Sequence, residues 1–191
     1  MATQRKPAPP RGTARERLIA AADELFRRDG IAATPVDKAV GRAGVATMTL
    51  YHHFAGKDGL VVAYLEHRHE RWTESWTART EAAESTMDKS LSIFDALRAW
   101  ADSGEVERGC AFVDAAAELT DREHPAWAVI NRHKADLLAR LTEITGSAEA
   151  AERVLLLYEG ALTGLLIGHL DDPVGQARAA ARSVLDHLAC G

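Results

Sequence analysis

Apolar residues recur at helical spacing along nearly the whole chain, and little of it alternates in the manner of a strand. Leu18, Ile19, Ala22, Leu25 and Phe26 form one stripe, on a helix that opens with T-A-R-E, a capping box of Thr13 and Glu16, and stops at Asp29-Gly30. Val36, Ala39, Val40 and Ala43 mark a second, shorter helix. It is expected to start at Pro35 under a Thr34 cap, with Asp37 in its first turn, and to end near Arg42 ahead of Gly44. A third helix runs from Ala46 to His53 with Leu50 and Phe54 on its inner side. Beyond residue 57 the pattern predicts helices near 57–82, 88–101, 109–120, 123–145, 148–169 and 173–189, separated at Ser103-Gly104, Gly109, Pro125, Gly146-Ser147 and Asp171-Asp172-Pro173. The fold class is therefore all-α, of about nine helices: an N-terminal three-helix helix-turn-helix unit followed by a larger helical domain.

The segment from Thr34 to Lys57 carries the most specific signal. Once Leu50 and Phe54 are turned inward, Thr47, Met48, Thr49, Tyr51, His52 and His53 are left mostly facing out. A short helix with such a face suits the major groove of DNA, where hydroxyl, aromatic and basic groups meet bases and phosphates. The competing reading is a plain helical hairpin whose Tyr and His complete a small core. The flanks favour the DNA reader, because the first helix offers an apolar stripe to pack against. Gly56-Lys57-Asp58-Gly59-Leu60 also opens a long helix with a basic group at its amino end, where a phosphate is welcome.

The run L-I-A-A-A-D-E-L-F (Leu18 to Phe26), Gly30, Thr34, A-G-V (Ala43 to Val45), T-L-Y-H-H-F (Thr49 to Phe54) and K-D-G-L (Lys57 to Leu60) resembles the amino-terminal domain of TetR/AcrR-type transcriptional regulators. R-G-C-A-F (Arg108 to Phe112) and A-A-E-L (Ala116 to Leu119) resemble segments of some members. The resemblance implies that Thr47, Met48 and His52 lie near base edges and that Thr49, Tyr51, His53 and Lys57 hold phosphates, with Val36 and Asp37 also near the backbone. Two positions depart from the family pattern: Ala46 stands where a capping Ser is frequent, and Met48 where a small residue is usual.

Charge divides the chain in the same way. Residues 1–57 hold ten Lys or Arg against five Asp or Glu, a net of +5, and residues 58–191 hold thirteen against twenty-three, a net of −10. The basic end is the DNA end, and the acidic remainder repels DNA and helps orient the molecule. The expected domains are a disordered basic arm at 1–12, the DNA-binding domain at 13–57 and an effector-binding and dimerisation domain at 58–191. The arm is either a floppy terminus or a segment that touches phosphates or the minor groove. Two cysteines, Cys110 and Cys190, do not make a disulfide framework, and with no visible secretory signal they point to a reducing, cytoplasmic compartment. Val154 to Leu170 is the most apolar stretch, but Glu159 and three glycines interrupt it, so no membrane span is expected.

Two surfaces of the second domain are candidates for function. Leu155, Leu162 and Leu166, with Gly160, Gly164 and Gly168 beside them, and then Ala177, Ala181 and Leu185, fit a four-helix interface between two copies, which the resemblance also implies; internal packing is the alternative. Trp72, Trp76, Phe94, Trp100, Phe112, Trp127, His133 and Tyr158 are either plain core or the lining of a cavity for a small apolar or aromatic effector, to which Arg98, Asp114, Glu118 or His169 could add polar groups. The resemblance favours the cavity. The stretch from Asp102 to Arg108 is expected to be the most mobile loop. The partners implied are a double-stranded DNA operator, palindromic because the reader is a homodimer, and a small-molecule effector that releases a repressor from it. No cofactor and no metal site are expected: His67 and His69, two apart on one helix with Glu66 and Glu70, point in different directions. A metal- or redox-responsive regulator and a small helical enzyme are the alternative classes, and no nucleophile elbow, phosphate loop or H-E-x-x-H supports the enzyme.

Overall fold

The computed structural model describes residues 12–106 and 108–189, so the basic arm up to residue 11 and Cys190 lie outside it. Among these residues the chain forms nine α-helices and no strand: α1 Ala14–Asp29, α2 Val36–Ala43, α3 Thr47–Phe54, α4 Lys57–Ala82, α5 Thr86–Asp102, α6 Ala111–Glu118, α7 Ala126–Thr145, α8 Ala148–Ile167 and α9 Pro173–Ala189.

Local chemistry accounts for most of the boundaries. The Thr13 hydroxyl accepts the Glu16 N–H at 3.2 Å while the Glu16 carboxylate accepts the Thr13 N–H at 2.9 Å, which completes the capping box of α1. Ser85 and Ser147 cap α5 and α8 through the N–H groups of Asp88 and Ala150. Gly44 ends α2 at φ 64°, a conformation a side chain resists, and so makes the turn into α3.

Thr34 does not cap α2. Its hydroxyl is buried and donates to the Gly30 carbonyl at 2.7 Å, closing the turn behind α1, and Pro35 in extended geometry is the N-cap, so the helix begins one residue later than expected. α6 is shorter at both ends than the pattern suggested, since Gly109 sits at φ 79° and Leu119 is extended. α7 waits for Pro125, because the Asp121 side chain takes the Glu123 N–H in a local turn.

Two hydrophobic clusters organise these helices. The first joins α1, α2 and α3 to the start of α4, with Phe112 and Ala115 of α6 and Val129 and Ile130 of α7. The second joins the far half of α4, with Trp72 and Trp76, to α5, the rest of α7, α8 and α9. Two helices, α4 and α7, therefore belong to both cores, and α4 gives Leu60, Val61, Tyr64 and Leu65 to the first and its tryptophans to the second. The Trp76 indole N–H donates to the Ser92 hydroxyl at 2.9 Å, tying α4 to α5 inside the second core.

The α5–α6 connection, expected to be the loosest loop, is held at Gly104 and Glu105 by three arginines of α1 and α4. Arg27 of α1 donates to the Gly104 carbonyl at 2.6 Å, and Arg68 and Arg71 of α4 both donate to Glu105. Two of the charged residues that made it look mobile, Glu105 and Arg108, have charged partners.

Candidate nucleic-acid interface and effector cavity

α3 is fastened by two side chains. Leu50 and Phe54, one turn apart, are buried in the first core, and Arg15 of α1 lies over the Phe54 ring at 5.6 Å. The rest of the helix is turned outward. Met48 is 75% exposed, Tyr51 50%, Thr47, His52 and His53 are exposed, and Thr49 is half-buried. The helix carries no carboxylate to repel a phosphate. Its N-cap, Ala46, has no side-chain hydrogen bond, and Thr47 does not substitute for the missing hydroxyl. Asp37 is exposed on the first turn of α2, whereas Val36 is half-buried against the first core. Lys57, the first residue of α4, is half-buried, with Nζ 3.4 Å from the Ala32 carbonyl.

Two backbone features hold α3 against α4. Ala55 ends α3 in the left-handed region at φ 58°. Gly59 then lies so close to α3 that a Cβ built on it would stand 1.8 Å from the Phe54 carbonyl oxygen. The glycine in K-D-G-L is thus a steric requirement of the α3–α4 corner. Not all of the basic excess is available to a polyanion, since Arg28 and Lys38 pair with Asp29 and Arg42 pairs with Glu24. The Arg28 and Lys38 hydrogen bonds hold the Asp29 carboxyl well below its usual range.

Of the eight aromatic and histidine positions proposed for a cavity, five converge. Trp72, Trp100, Phe112, His133 and Tyr158 line an inner cavity of about 20 Å³. Trp72 meets Trp100 edge-on at 5.1 Å and Tyr158 at 5.6 Å, while Phe112 stacks on His133 at 3.6 Å. An outer groove of about 790 Å³ runs along α4 and α7 past Trp76, Asp136 and Arg140. Trp72 and His133 line both spaces and form the wall between them.

Phe94 and Trp127 reach neither space. Phe94 is solid second core, and Trp127 packs on the edge of the first core, with its indole donating to the Asp121 carbonyl at 3.0 Å and Arg122 over its ring. Among the suggested polar groups only His133 takes part: Arg98 pairs with Asp172, Asp114 pairs with Arg108, Glu118 accepts the Ala32 N–H, and His169 is exposed.

Burial, with the charge of neighbouring Lys134, pushes His133 down to about 2, so it is a neutral ring whose Nδ1 shares one proton with Nδ1 of His69 at 3.1 Å. Burial pushes the Tyr158 phenol well up.

Arg68, Cys110 and His69 are among the residues at these spaces that escaped the sequence reading. Arg68 is almost fully buried and lines the inner cavity, with its guanidinium 4.4 Å from the Trp100 ring centre. Its place between Tyr64 and Trp72, each four residues away on the buried side of α4, was the available signal. Cys110 lines the same cavity, and His69 lines the outer groove.

The residues proposed for an interface between copies divide in two. Leu162, Ala177, Ala181 and Leu185 are buried in the second core, where α8 packs on α9 within one chain. Leu155 is half-buried and Leu166 half-exposed. A stripe of apolar and small residues looks the same in sequence whether it packs on the next helix or on another molecule, and here the small side chains of α9 serve its own neighbour. Gly164 belongs to that seam too, because a Cβ there would meet Pro173 at 2.6 Å. The outward face of α8 is a different line: Leu156 at 72% exposure, Gly160, Thr163 and Ile167 at 64%.

A chain whose described residues form helices and no strand, and which presents a polar helix beside a glycine turn on one end of a long helix rooted in two cores, has the architecture of a helix-turn-helix DNA-binding protein with a second helical domain. Residues 18–64 match the family model described as bacterial regulatory proteins, tetR family. The chain is 28% identical over 160 residues to the HTH-type transcriptional regulator TtgR of Pseudomonas putida, a match that covers 75% of this chain and 74% of the relative. A TetR-family transcriptional regulator from Streptomyces coelicolor superimposes with a TM-score of 0.83 at 26% identity, over 91% of this chain and 95% of that one. A TetR transcriptional regulator from Chloroflexus aurantiacus shares the fold at a TM-score of 0.78 and 19% identity, over 91% and 94% of the two chains. In its amino-terminal residues and in its whole fold the chain is thus similar to TetR/AcrR transcriptional regulators, which are DNA-binding regulators. No helix among the described residues is long and apolar enough to cross a membrane.

Proposed function

We propose that this chain is a ligand-released repressor that binds a palindromic operator as a homodimer, with residues 13–57 reading DNA and residues 58–191 binding the effector and the second copy. The observation that carries this reading is the outward face of α3, where Thr47, Met48, Tyr51, His52 and His53 are exposed on a helix that only Leu50 and Phe54 anchor. Thr47, Met48 and His52 would meet base edges, and Thr49, Tyr51, His53 and Lys57 would hold phosphates, with Val36 and Asp37 nearby.

The dimer places two α3 helices one turn of DNA apart, about 34 Å. The apolar line Leu156, Gly160, Thr163 and Ile167 on α8, left exposed among the described residues, is the face offered for it, with Leu155 and Leu166 at its margins.

Release follows from α4. An effector that enters between Trp72 and His133 has to move them, because the inner cavity has room for little more than a water molecule as it stands. Arg68, on the same cavity wall, is bonded to Glu105 in the loop that Arg27 of α1 also grips. A shift of α4 by a few ångströms is thus passed to α1 and the reader, and spoils the half-site spacing. The states need differ by only a few kcal/mol, provided the ligand prefers one of them.

Selection of bound duplexes from a random pool tests the proposal. The expected product is a two-fold symmetric site whose affinity falls steeply with salt as counterions are released. An asymmetric half-length site would overturn the dimer, and no enrichment would overturn the DNA reader.

A further inference from the structure

Arg140 of α7 lies on the wall of the outer groove, its guanidinium 4.4 Å from the Trp76 ring centre and one N–H donating to the Thr77 hydroxyl at 2.7 Å. Among the described residues it pairs with no carboxylate. Carboxylate partners hold the guanidinium groups of Arg71 and Arg132 above their usual range, whereas burial pushes that of Arg140 down. A half-buried guanidinium has five N–H groups to satisfy, and a neutral hydroxyl takes one of them.

Lys89, in the first turn of α5, lines the same groove without a carboxylate partner among the described residues. It stands at the Arg140 end, because its carbonyl accepts the hydroxyl of Ser92, which also bonds the Trp76 indole and Thr80. α4 and α7 run side by side here, with His69 beside His133 and Thr77 beside Arg140. The groove therefore has two ends. Arg140 and Lys89 mark one, Trp72 and His133 the other, and Leu137 stands between them on α7. The acidic residues of the lining do not neutralise the cationic end: Asp136 faces His69 at 3.5 Å, and exposed Glu143 raises Arg140 less than burial lowers it.

We propose that the outer groove binds an aromatic carboxylate, with its acid group on Arg140 and Lys89 and its ring directed along Leu137 to Trp72 and His133. A guanidinium held against Trp76 keeps its remaining N–H groups in one plane, the geometry that takes both oxygens of a carboxylate. The ring then reaches the two residues that wall off the inner cavity. A volume of about 790 Å³ is that of a small-molecule site.

This inference rests on the reading of these spaces as the effector site, and the test separates the two. The full chain is titrated by calorimetry with naphthoate and with its neutral counterpart, naphthylmethanol. The acid should bind roughly tenfold more tightly than the alcohol, an advantage that shrinks in high salt. Arg140→Gln, at a partly exposed position, should abolish the difference, and Arg140→Lys should restore part of it. Binding of neither compound, equal affinities in wild type, or an advantage that survives Arg140→Gln would overturn the site. The naphthoate-saturated chain is then titrated with the selected operator duplex. Loss of operator binding in wild type, and not in Arg140→Gln at the same naphthoate concentration, supports the site and the effector reading together. Naphthoate bound with operator affinity unchanged sustains the carboxylate site and removes the groove from the release mechanism.

Discussion

The Arg68 guanidinium donates to both the side chain and the main-chain carbonyl of Glu105, and through it the middle of the longest helix is bonded to the loop that α1 also grips. Arg68 is almost wholly buried, and Asp23 of α1 stands 3.5 Å from it on another side. Glu105→Ala leaves a buried cation with one distant acidic neighbour. It should cost about 3 kcal/mol, read by urea unfolding, because the loss of one partner strands the other charge away from water.

The same carboxylate makes a pH prediction. Burial works against its charge, but the Arg71 hydrogen bond and the Arg68 charge prevail and hold the Glu105 carboxyl below its usual 4.5. The folded state therefore binds this proton less readily than the unfolded chain. The stabilisation is complete above the unfolded value of 4.5 and disappears as pH falls through the lowered folded value. Wild type should lose stability on acidification below about pH 5 more steeply than Glu105→Gln; equal slopes would remove Glu105 from the effect.

At the DNA face the residues should separate by what they lose. Tyr51→Phe removes a hydroxyl from an exposed position and should weaken specific and random duplexes alike. Thr47→Ala and His52→Ala should instead relax preference at one base pair by roughly 1 to 3 kcal/mol, measured by fluorescence anisotropy on single-site variants. Equal losses on every sequence would place Thr47 on the backbone.

The corner between α3 and α4 gives two opposite outcomes. Gly59→Ala forces a methyl into the Phe54 carbonyl and should destabilise by about 3 kcal/mol, with operator binding lost as α3 is displaced. Ala55→Gly relieves a left-handed conformation that costs a side chain about 1 kcal/mol, and should raise the melting temperature with the fold unchanged.

On α8, Leu156→Arg should produce a folded monomer by light scattering and weaken operator binding, since the side chain stands largely in solvent within its own chain. Ala181→Arg, fully buried where α9 meets α8, should instead prevent folding. If Leu156→Arg remains a dimer at micromolar concentration, the interface lies elsewhere.

What could be read from the residues alone was whatever depends on neighbours in the chain. The Thr13–Glu16 box, the Gly44 turn, the inward pair Leu50 and Phe54 and nine helices within a few residues of their ends all follow from local periodicity and capping. The outward polar face of α3 was legible for the same reason: a helix with two apolar anchors on one side leaves a determinate remainder. Thr34 misled because a hydroxyl at that point can serve the helix ahead or the turn behind, and both are equally close in sequence.

Choices between distant partners were decided only by the packing. Leu162, Ala181 and Leu185 had the right spacing for a second molecule and were taken by the chain itself, while Leu156 and Ile167 were left over. Five of the eight cavity candidates met, and Phe94 and Trp127 did not, because helical spacing gives the direction of a side chain about its own axis and nothing of which helix stands opposite. Arg68, Glu105 and Cys110 became visible only when α4, the α5–α6 loop and α7 were brought together. Periodicity is a property of one helix, and a buried ion pair or a cavity is a property of several.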